Sequence, residues 1–277
     1  MPELPEVETV KNQLAPHIIG HRITKVTLLW DRMVKGQDAA EFVRLIAGQK
    51  IMDMTRQGKY LIVHLSSSDK LIIHLKMTGS LILGKTDSEP PKYTRAVIHL
   101  DDGQNVFFRD PRKFGMLNLV KDLREIEGKL GPEPLEKDFT LKYFSEGLAK
   151  RTAPIKAFIL EQKFIAGVGN MYADEALFLA RIDPRRASNT LKKAEIRRLF
   201  DAIHDVLIAG LKYGGASVVT YFHPDGSVGT AHQHFNVAHN QKKECPVCGG
   251  PIERIVVRGR GTYYCPKCQK TSIAILQ

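Results

Sequence analysis

The sequence predicts an α+β protein of two domains. An N-terminal antiparallel β-sandwich with flanking helices precedes a helical domain that ends in a small cysteine-rich module. Three observations lead there. Seven short apolar-rich segments with turn residues between them follow one another from residue 50 to 120. Helical spacing takes over in the second half. All four cysteines fall in the last 33 residues. A chain of 277 residues has room for two such domains, each with its own core.

Each element follows from its residues. A first helix is expected from Glu3 to about Pro16. Val7, Val10 and Leu14 form an apolar stripe, Pro2 suits a helix start, and Glu3, Glu6 and Glu8 suit the positive end of the dipole. Residues 21–30 read as a strand and Ala39–Ala47 as a short helix. The strands of the sandwich are expected at 50–56, 59–66, 70–76, 79–84, 93–100, 104–109 and 114–120, with Asp102-Gly103 turning one hairpin. The polar, proline-rich stretch 121–140 reads as a linker around Gly131-Pro132-Glu133-Pro134. The domains are therefore set at 2–120, 141–239 and 240–277. Further helices are expected at Pro154–Gln162, at Asn170–Phe178 with Asn170 as N-cap, and at 190–213. Gly167-Val168-Gly169 is no dinucleotide fingerprint, because it follows a helix and lacks a third glycine. It suits either a phosphate at a helix start or an ordinary helix–helix corner.

Cys245, Cys248, Cys265 and Cys268 are spaced C-x2-C-x16-C-x2-C. Two intervening residues let paired thiolates reach one tetrahedral ion, and four thiolates close its coordination sphere. The pattern predicts one structural Zn²⁺ that does no chemistry. His223, His232, His234 and His239 come without a carboxylate cluster and read as a polar loop, not a second metal site. Residues 240–277 carry seven Lys and Arg against two Glu. Arg258-Gly259-Arg260-Gly261 has the composition of a hairpin tip that would project Arg260.

The formal net charge is +11. A polyanion, most simply nucleic acid, is the expected partner, the alternative being a merely solubilising surface. No apolar run reaches the ~18–20 residues that span a bilayer, so no membrane partner is expected. The acidic, proline-rich start differs from a signal peptide, and a cytoplasmic, nucleoid-associated protein is expected.

Several motifs, in order along almost the whole chain, resemble bacterial formamidopyrimidine-DNA glycosylases. They are Met1-Pro2-Glu3-Leu4-Pro5-Glu6-Val7-Glu8-Thr9-Val10, Gly58-Lys59-Tyr60-Leu61, His74-Leu75-Lys76-Met77-Thr78-Gly79 and Arg109-Asp110-Pro111-Arg112-Lys113-Phe114-Gly115. Gly167 to Glu175 and Gly259-Arg260-Gly261-Thr262 with Cys265-Pro266 complete the set. The resemblance implies a helix–two-turn–helix module ahead of the zinc ribbon. It implies a monomer that binds damaged double-stranded DNA across the cleft between its domains, excises oxidised purines and cuts the strand on both sides. By the same resemblance the catalytic residues are Pro2, as a free amine once Met1 is removed, Glu3, Lys59 and Arg260. Helix capping is an equally compatible duty of Pro2 and Glu3, and Glu6 is either a further site acid or a dipole partner. Met77, Arg112 and Phe114 match the residues that fill the gap left by a flipped base; Met77 and Phe114 could otherwise be core. His74, Arg151, Lys156 and Asn170 match DNA or lesion contacts. Where Tyr93 and Arg95 stand, relatives often carry histidine. Residues 217–240 align with a lesion-capping loop, with Ala238-His239-Asn240 atypical. Two alternatives stay open: an endonuclease VIII-like enzyme for oxidised pyrimidines, which Leu4 and the Met77-Arg112-Phe114 set disfavour, and a non-catalytic zinc-ribbon DNA-binding protein.

Overall fold

The structure, a computed structural model, describes residues 1–218, 221–241 and 243–270. Residues 219–220 of the expected capping loop, and 242 and 271–277 of the expected zinc ribbon, lie outside the described residues. No helix among the described residues is long and apolar enough to cross a membrane.

The chain folds into two compact units. The first comprises Met1–Gly128 and Tyr213–Thr230; the second comprises Lys129–Lys212 and the residues from Ala231 onward. The first unit opens with α1 (Leu4–Ile18), then β1 (Ile23–Leu28), β2 (Val34–Lys35) and α2 (Ala39–Ile46). Seven strands follow: β3 (Ile51–Gln57), β4 (Tyr60–Leu65), β5 (Lys70–His74), β6 (Ser80–Lys85), β7 (Thr94–Leu100), β8 (Gln104–Arg109) and β9 (Met116–Val120). They form two sheets, β1-β7-β8-β6 and β2-β9-β5-β4-β3. All pairings are antiparallel except β2 with β9. One core joins both sheets to α1: Leu61, Val63, Leu71 and Ile73 meet Leu81, Ala96, Ile98 and Phe108, with Val7, Val10, Leu14 and Ile18 packed among them. Asp102 accepts the Gln104 N–H at 3.0 Å in the β7–β8 turn, and Gly103 takes φ +80° there.

The second unit contains α4 (Leu141–Ala149), α5 (Ile155–Ile159), α6 (Asn170–Leu179), α7 (Lys193–Lys212) and the hairpin β10 (Glu253–Val257)–β11 (Arg260–Tyr264); α3 (Arg124–Glu127) precedes it in the first unit. Phe139, Phe144, Phe164 and Phe200 form an aromatic core, with Phe139 stacked on Phe200 at 5.0 Å. Gly210 lets α7 approach α6, because a Cβ there would stand 2.6 Å from the Tyr172 hydroxyl oxygen.

Four details differ from the sequence reading. The stretch 121–140 includes α3, and Gly131 sits against the Lys163 and Phe164 carbonyls, donating its N–H to Gln162 O at 2.9 Å. The boundary between the two units falls within this stretch, after Gly128. Gly169, not Asn170, is the N-cap of α6, and Asn170 opens the helix. In α1 the cap is Glu3 and the proline inside the first turn is Pro5, which leaves Pro2 ahead of the helix. Tyr213–Thr230, read as part of the helical domain, packs on the first unit.

Candidate active site and nucleic-acid interface

The start of α1 gathers carboxyl groups. Pro2 is buried while Met1 is exposed. Glu3 and Glu6 are 1% and 0% exposed. Glu6 Oε2 accepts the Glu3 N–H at 2.7 Å, the reach-back half of a capping box. Glu6 Oε1 accepts the Ala216 N–H at 2.7 Å, and Tyr221 donates its hydroxyl to Glu6 O at 3.0 Å. Burial and the Glu6 charge push the Tyr221 phenol up, so it stays a donor. Gly215 has φ +77°, and a Cβ there would lie 2.8 Å from Glu6 Cγ. Glu6 therefore ties the segment after α7 to the helix that begins beside Pro2. His223 extends the tie by bonding Gly214 O at 2.7 Å and Ser227 Oγ at 2.9 Å, so it is a buried fastener.

Lys59 is buried in the two-residue turn between β3 and β4, which Gly58 opens with φ +57°. Arg56 fixes this turn. It donates to Gly58 O at 2.9 Å and, through Nε, to Glu8 on α1 at 2.6 Å. Burial pushes Glu8 up, but hydrogen bonds from Lys11 and Arg56 outweigh it and hold the carboxyl below its usual range.

His74 ends β5, next to Lys59 in charge and edge-on to the Tyr60 ring at 4.6 Å. Its Nδ1 accepts the Lys76 N–H at 2.9 Å, which leaves the proton on Nε2. Burial first, then the charges of Lys76 and Lys59, lower its pKa from 6.5 to about 3. At neutral pH it offers an uncharged N–H to a ligand. The unfolded chain binds a proton at this residue between pH 6.5 and about 3, and the folded chain does not. The resulting stability is present above pH 6.5 and is lost as pH falls, by at most about 1.4 kcal/mol per pH unit. Urea unfolding from pH 7 to pH 4.5 is expected to show a shallower loss for His74→Gln than for the parent. Equal slopes would mean that the histidine titrates normally.

Met77, Arg112 and Phe114 come together. Met77 and Phe114 are 43% and 51% exposed, so neither is core. Arg112 lies between them, with Nη1 3.2 Å from Met77 Sδ and its guanidinium 4.8 Å from the Phe114 ring centre. The two loops that carry them share one anchor. Asp110, 1% exposed, accepts N–H groups from Arg112 at 3.1 Å and from Phe114 and Gly115 at 2.7 Å, and also the Thr78 hydroxyl. Sequence reasoning quoted Asp110 in a motif but gave it no role. Its signal is the Asp-Pro-x-x-x-Gly turn composition. Arg95 braces the same loop through Asp110 O at 2.8 Å, and Tyr93 lies among Lys92, Arg95 and Arg109.

In the second unit, Gln162 shapes the Gly167-Val168-Gly169 turn. Its Oε1 accepts the Gly167 N–H at 3.0 Å and its Nε2 donates to Val168 O at 2.8 Å. Asn170 donates Nδ2 to Gly261 O at 2.9 Å. Arg151 is exposed beside Glu161 and Phe158. Lys156, read as a DNA contact, is 0% exposed and pairs with Asp174 at 2.8 Å, so its ammonium does not reach a surface ligand. Glu175, also unassigned by sequence, accepts N–H groups from Asn236, Val237 and Ala238, each at 2.8 Å. In the hairpin, Arg258 and Gly259 form the two-residue turn with φ +47° and +74°. Arg260 therefore opens β11 beside the tip and is exposed, with no side-chain hydrogen bond or ion pair among the described residues.

The cysteines converge. Cys248 and Cys265 Sγ are 3.5 Å apart, Cys245 and Cys268 Sγ 3.8 Å, and all four lie within 4.8 Å of one another. A tetrahedron with ~2.3 Å metal–sulfur bonds has edges of about 3.8 Å. The donors fit one zinc, which cross-links the two knuckles and leaves no site open. Gln269 locks the second knuckle by accepting the Cys265 N–H at 2.8 Å and donating to Ile182 O at 2.9 Å.

Residues 1–117 match the formamidopyrimidine-DNA glycosylase N-terminal domain, 130–221 the H2TH domain of the same enzymes, and 242–271 a zinc finger found in FPG and IleRS. The chain belongs to the formamidopyrimidine-DNA glycosylase family. A formamidopyrimidine-DNA glycosylase of Roseiflexus sp. is 42% identical over 98% of this chain and 100% of its own length. That of Listeria monocytogenes is 39% identical over 98% and 100%. The crystal structure of the MutM (Fpg) protein from Thermus thermophilus superposes with TM-score 0.88 at 40% identity, covering 97% of this chain and 98% of that one. A Lactococcus lactis FPG variant in complex with Fapy-dG-containing DNA gives TM-score 0.92 at 37% identity, covering 98% and 100%. The zinc ribbon and the family of DNA repair glycosylases are thus both established for this chain.

Proposed function

We propose that this chain binds damaged duplex DNA, excises oxidised purines such as 8-oxoguanine and formamidopyrimidines, and then cuts the abasic strand on both sides. The observation that carries the reading is the start of α1, where Pro2 precedes two carboxyl residues, Glu3 and Glu6, that are both almost wholly withdrawn from water. With Met1 removed, Pro2 is a secondary amine with pKa near ~8, roughly 10% neutral at pH 7, against under ~0.1% for a lysine. The neutral nitrogen attacks sugar C1′ and the base leaves with a proton. Ring opening gives an iminium, with Glu3 moving the proton. Loss of the C2′ proton breaks the C3′–O bond and releases the 3′ phosphate. Loss of the C4′ proton breaks the C5′–O bond and releases the 5′ phosphate. Water then hydrolyses the iminium and frees Pro2. Lys59 serves the first elimination as phosphate contact and proton carrier. Arg260 grips the second phosphate as it departs.

Borohydride reduction on abasic duplex tests the reading, because only an amine nucleophile leaves a covalent adduct. A non-catalytic DNA-binding protein gives none. A panel of duplexes with oxidised purines and oxidised pyrimidines tests the substrate class.

Met77, Arg112 and Phe114 supply the wedge that replaces the flipped base. Met77→Ala with Phe114→Ala is expected to slow base excision about tenfold or more relative to cleavage at a preformed abasic site, where less unstacking is needed. Single-turnover rates on the two substrates check this. Equal losses on both would mean that the two side chains are structural.

A further inference from the structure

Arg260 has no side-chain partner of its own among the described residues, so its place depends on what holds the strand that carries it. That strand is half of a two-stranded hairpin with five residues on each side. Such a hairpin is marginal by itself. Its outer strand is largely exposed, from Glu253 to Val256. The three residues after Arg260, by contrast, are all gripped from the helices. Lys156 on α5 donates Nζ to Gly261 O at 3.0 Å and to Thr262 Oγ1 at 2.9 Å. Asn170 on α6 donates to the same Gly261 O at 2.9 Å. Asp174, one turn further along α6, accepts the Tyr263 N–H at 3.1 Å through Oδ2 and pairs with Lys156 through Oδ1 at 2.8 Å. Lys156 and Asp174 are 0% and 1% exposed. Thr262, in the middle of the strand, is wholly buried.

We infer that the buried Lys156–Asp174 pair is a positioning device for Arg260, and that it controls the second elimination without taking part in the first. The inference rests on the proposed role of Arg260 at the departing phosphate. Its physical basis is directional. A buried ion pair in good geometry adds little net stability over an apolar pair, but it fixes the register of the groups bonded to it. Here those groups are the backbone and side-chain atoms directly following Arg260. Burial drives the Asp174 carboxyl up against the opposing pull of Lys156, so the carboxylate depends on its partner. Removing either member loosens the strand after Arg260, while the Asn170 bond to Gly261 O and the four thiolates still hold the hairpin in place.

The experiment uses full-length, zinc-loaded protein on a preformed abasic duplex and separates the β- and δ-elimination products. Lys156→Met is expected to keep its zinc and its borohydride trapping, and to lower the ratio of δ to β product about tenfold or more, as expected when a catalytic group is misplaced by about 1 Å. Asp174→Leu is expected to do the same. Asp174→Asn, which keeps one oxygen for the Tyr263 N–H but turns its amide toward the Lys156 ammonium, is expected to lower the ratio less than Asp174→Leu does. A general packing defect would lower both products and trapping together. Amide hydrogen exchange across residues 260–264 gives a readout independent of chemistry, and faster exchange of Tyr263 is expected in Lys156→Met. An unchanged product ratio in a folded, zinc-loaded Lys156→Met overturns the inference, whether or not exchange accelerates. Arg260→Ala is run beside it. Wild-type δ product from that variant overturns the role of Arg260 itself, which a failure of the Lys156 variants alone does not.

Discussion

Protein that retains Met1 is expected to give no borohydride adduct with abasic DNA, and protein that begins at Pro2 is expected to give one. In the retained form the Pro2 nitrogen is a tertiary amide. Its lone pair is delocalised into the carbonyl, so it can neither attack C1′ nor form an iminium. Nothing else about the protein should change, because Met1 precedes α1 and is 46% exposed. The same exposure leaves it open to an aminopeptidase. Retained protein should therefore fold, hold zinc and bind DNA. Pro2→Gly, once processed, presents a primary amine, and trapping should persist with slower turnover. N-terminal mass spectrometry paired with trapping reads the result. Strong trapping by verified Met1-retained protein would transfer the nucleophile to a lysine, with Lys59 the first candidate.

Loss of zinc is expected to have the next largest effect, on DNA binding and not on the first unit. Cys245 and Cys265 are 2% and 0% exposed and pack with Phe178, Val237 and Ile252 in a small apolar cluster. That cluster and a short hairpin cannot order the segment alone, and structural zinc typically supplies ~10–16 kcal/mol of apparent binding free energy to such modules. The same segment carries Arg254, Arg258 and Arg260. Cys245→Ser is expected to lose its metal and to weaken binding to a duplex with an abasic analogue by about a hundredfold or more, since several phosphate contacts go together. The sandwich core lies wholly in the other unit, and its melting should be unaffected. Metal analysis, binding isotherms and thermal melts check the three parts. Normal DNA binding after metal loss would show that the ribbon is not part of the interface.

The strands were legible because their signals are local. Alternation, β-branched residues and turn pairs put β3 to β9 within a few residues of their positions. β2 was not legible: it is two residues, Val34 and Lys35, paired in parallel with Leu117 and Asn118 far along the chain. Cysteine spacing gave the metal ligands outright, and the motif resemblance named Met77, Arg112 and Phe114, of which the structure sets Arg112 against each of the other two. The carboxylates that organise the site were harder to see. Asp110 binds its own turn but also reaches back 32 residues to Thr78, and Glu175 serves Asn236 to Ala238, 61 to 63 residues away. The resemblance offers Lys156 as a DNA or lesion contact, and its burial is not legible, because its partners, Asp174 and Thr262, are distant in sequence. Arg260 was read at the hairpin tip, one step beyond its place, because Arg258-Gly259 and Arg260-Gly261 have the same turn composition.

The bond from Ala216 to Glu6 spans 210 residues, and it decides how the polypeptide can be divided. The chain leaves the first unit after Gly128, returns at Tyr213 and leaves again after Thr230. A fragment that stops at Gly128 would strand the inward-facing Glu6 oxygen without the Ala216 donor and would empty the Tyr221 seat in the sandwich core. No single cut therefore yields an intact amino-terminal half. Permuting, splitting or grafting this scaffold has to carry Tyr213–Thr230 along with the first 128 residues, and exchange of the carboxy-terminal half between relatives has to respect that returning strap.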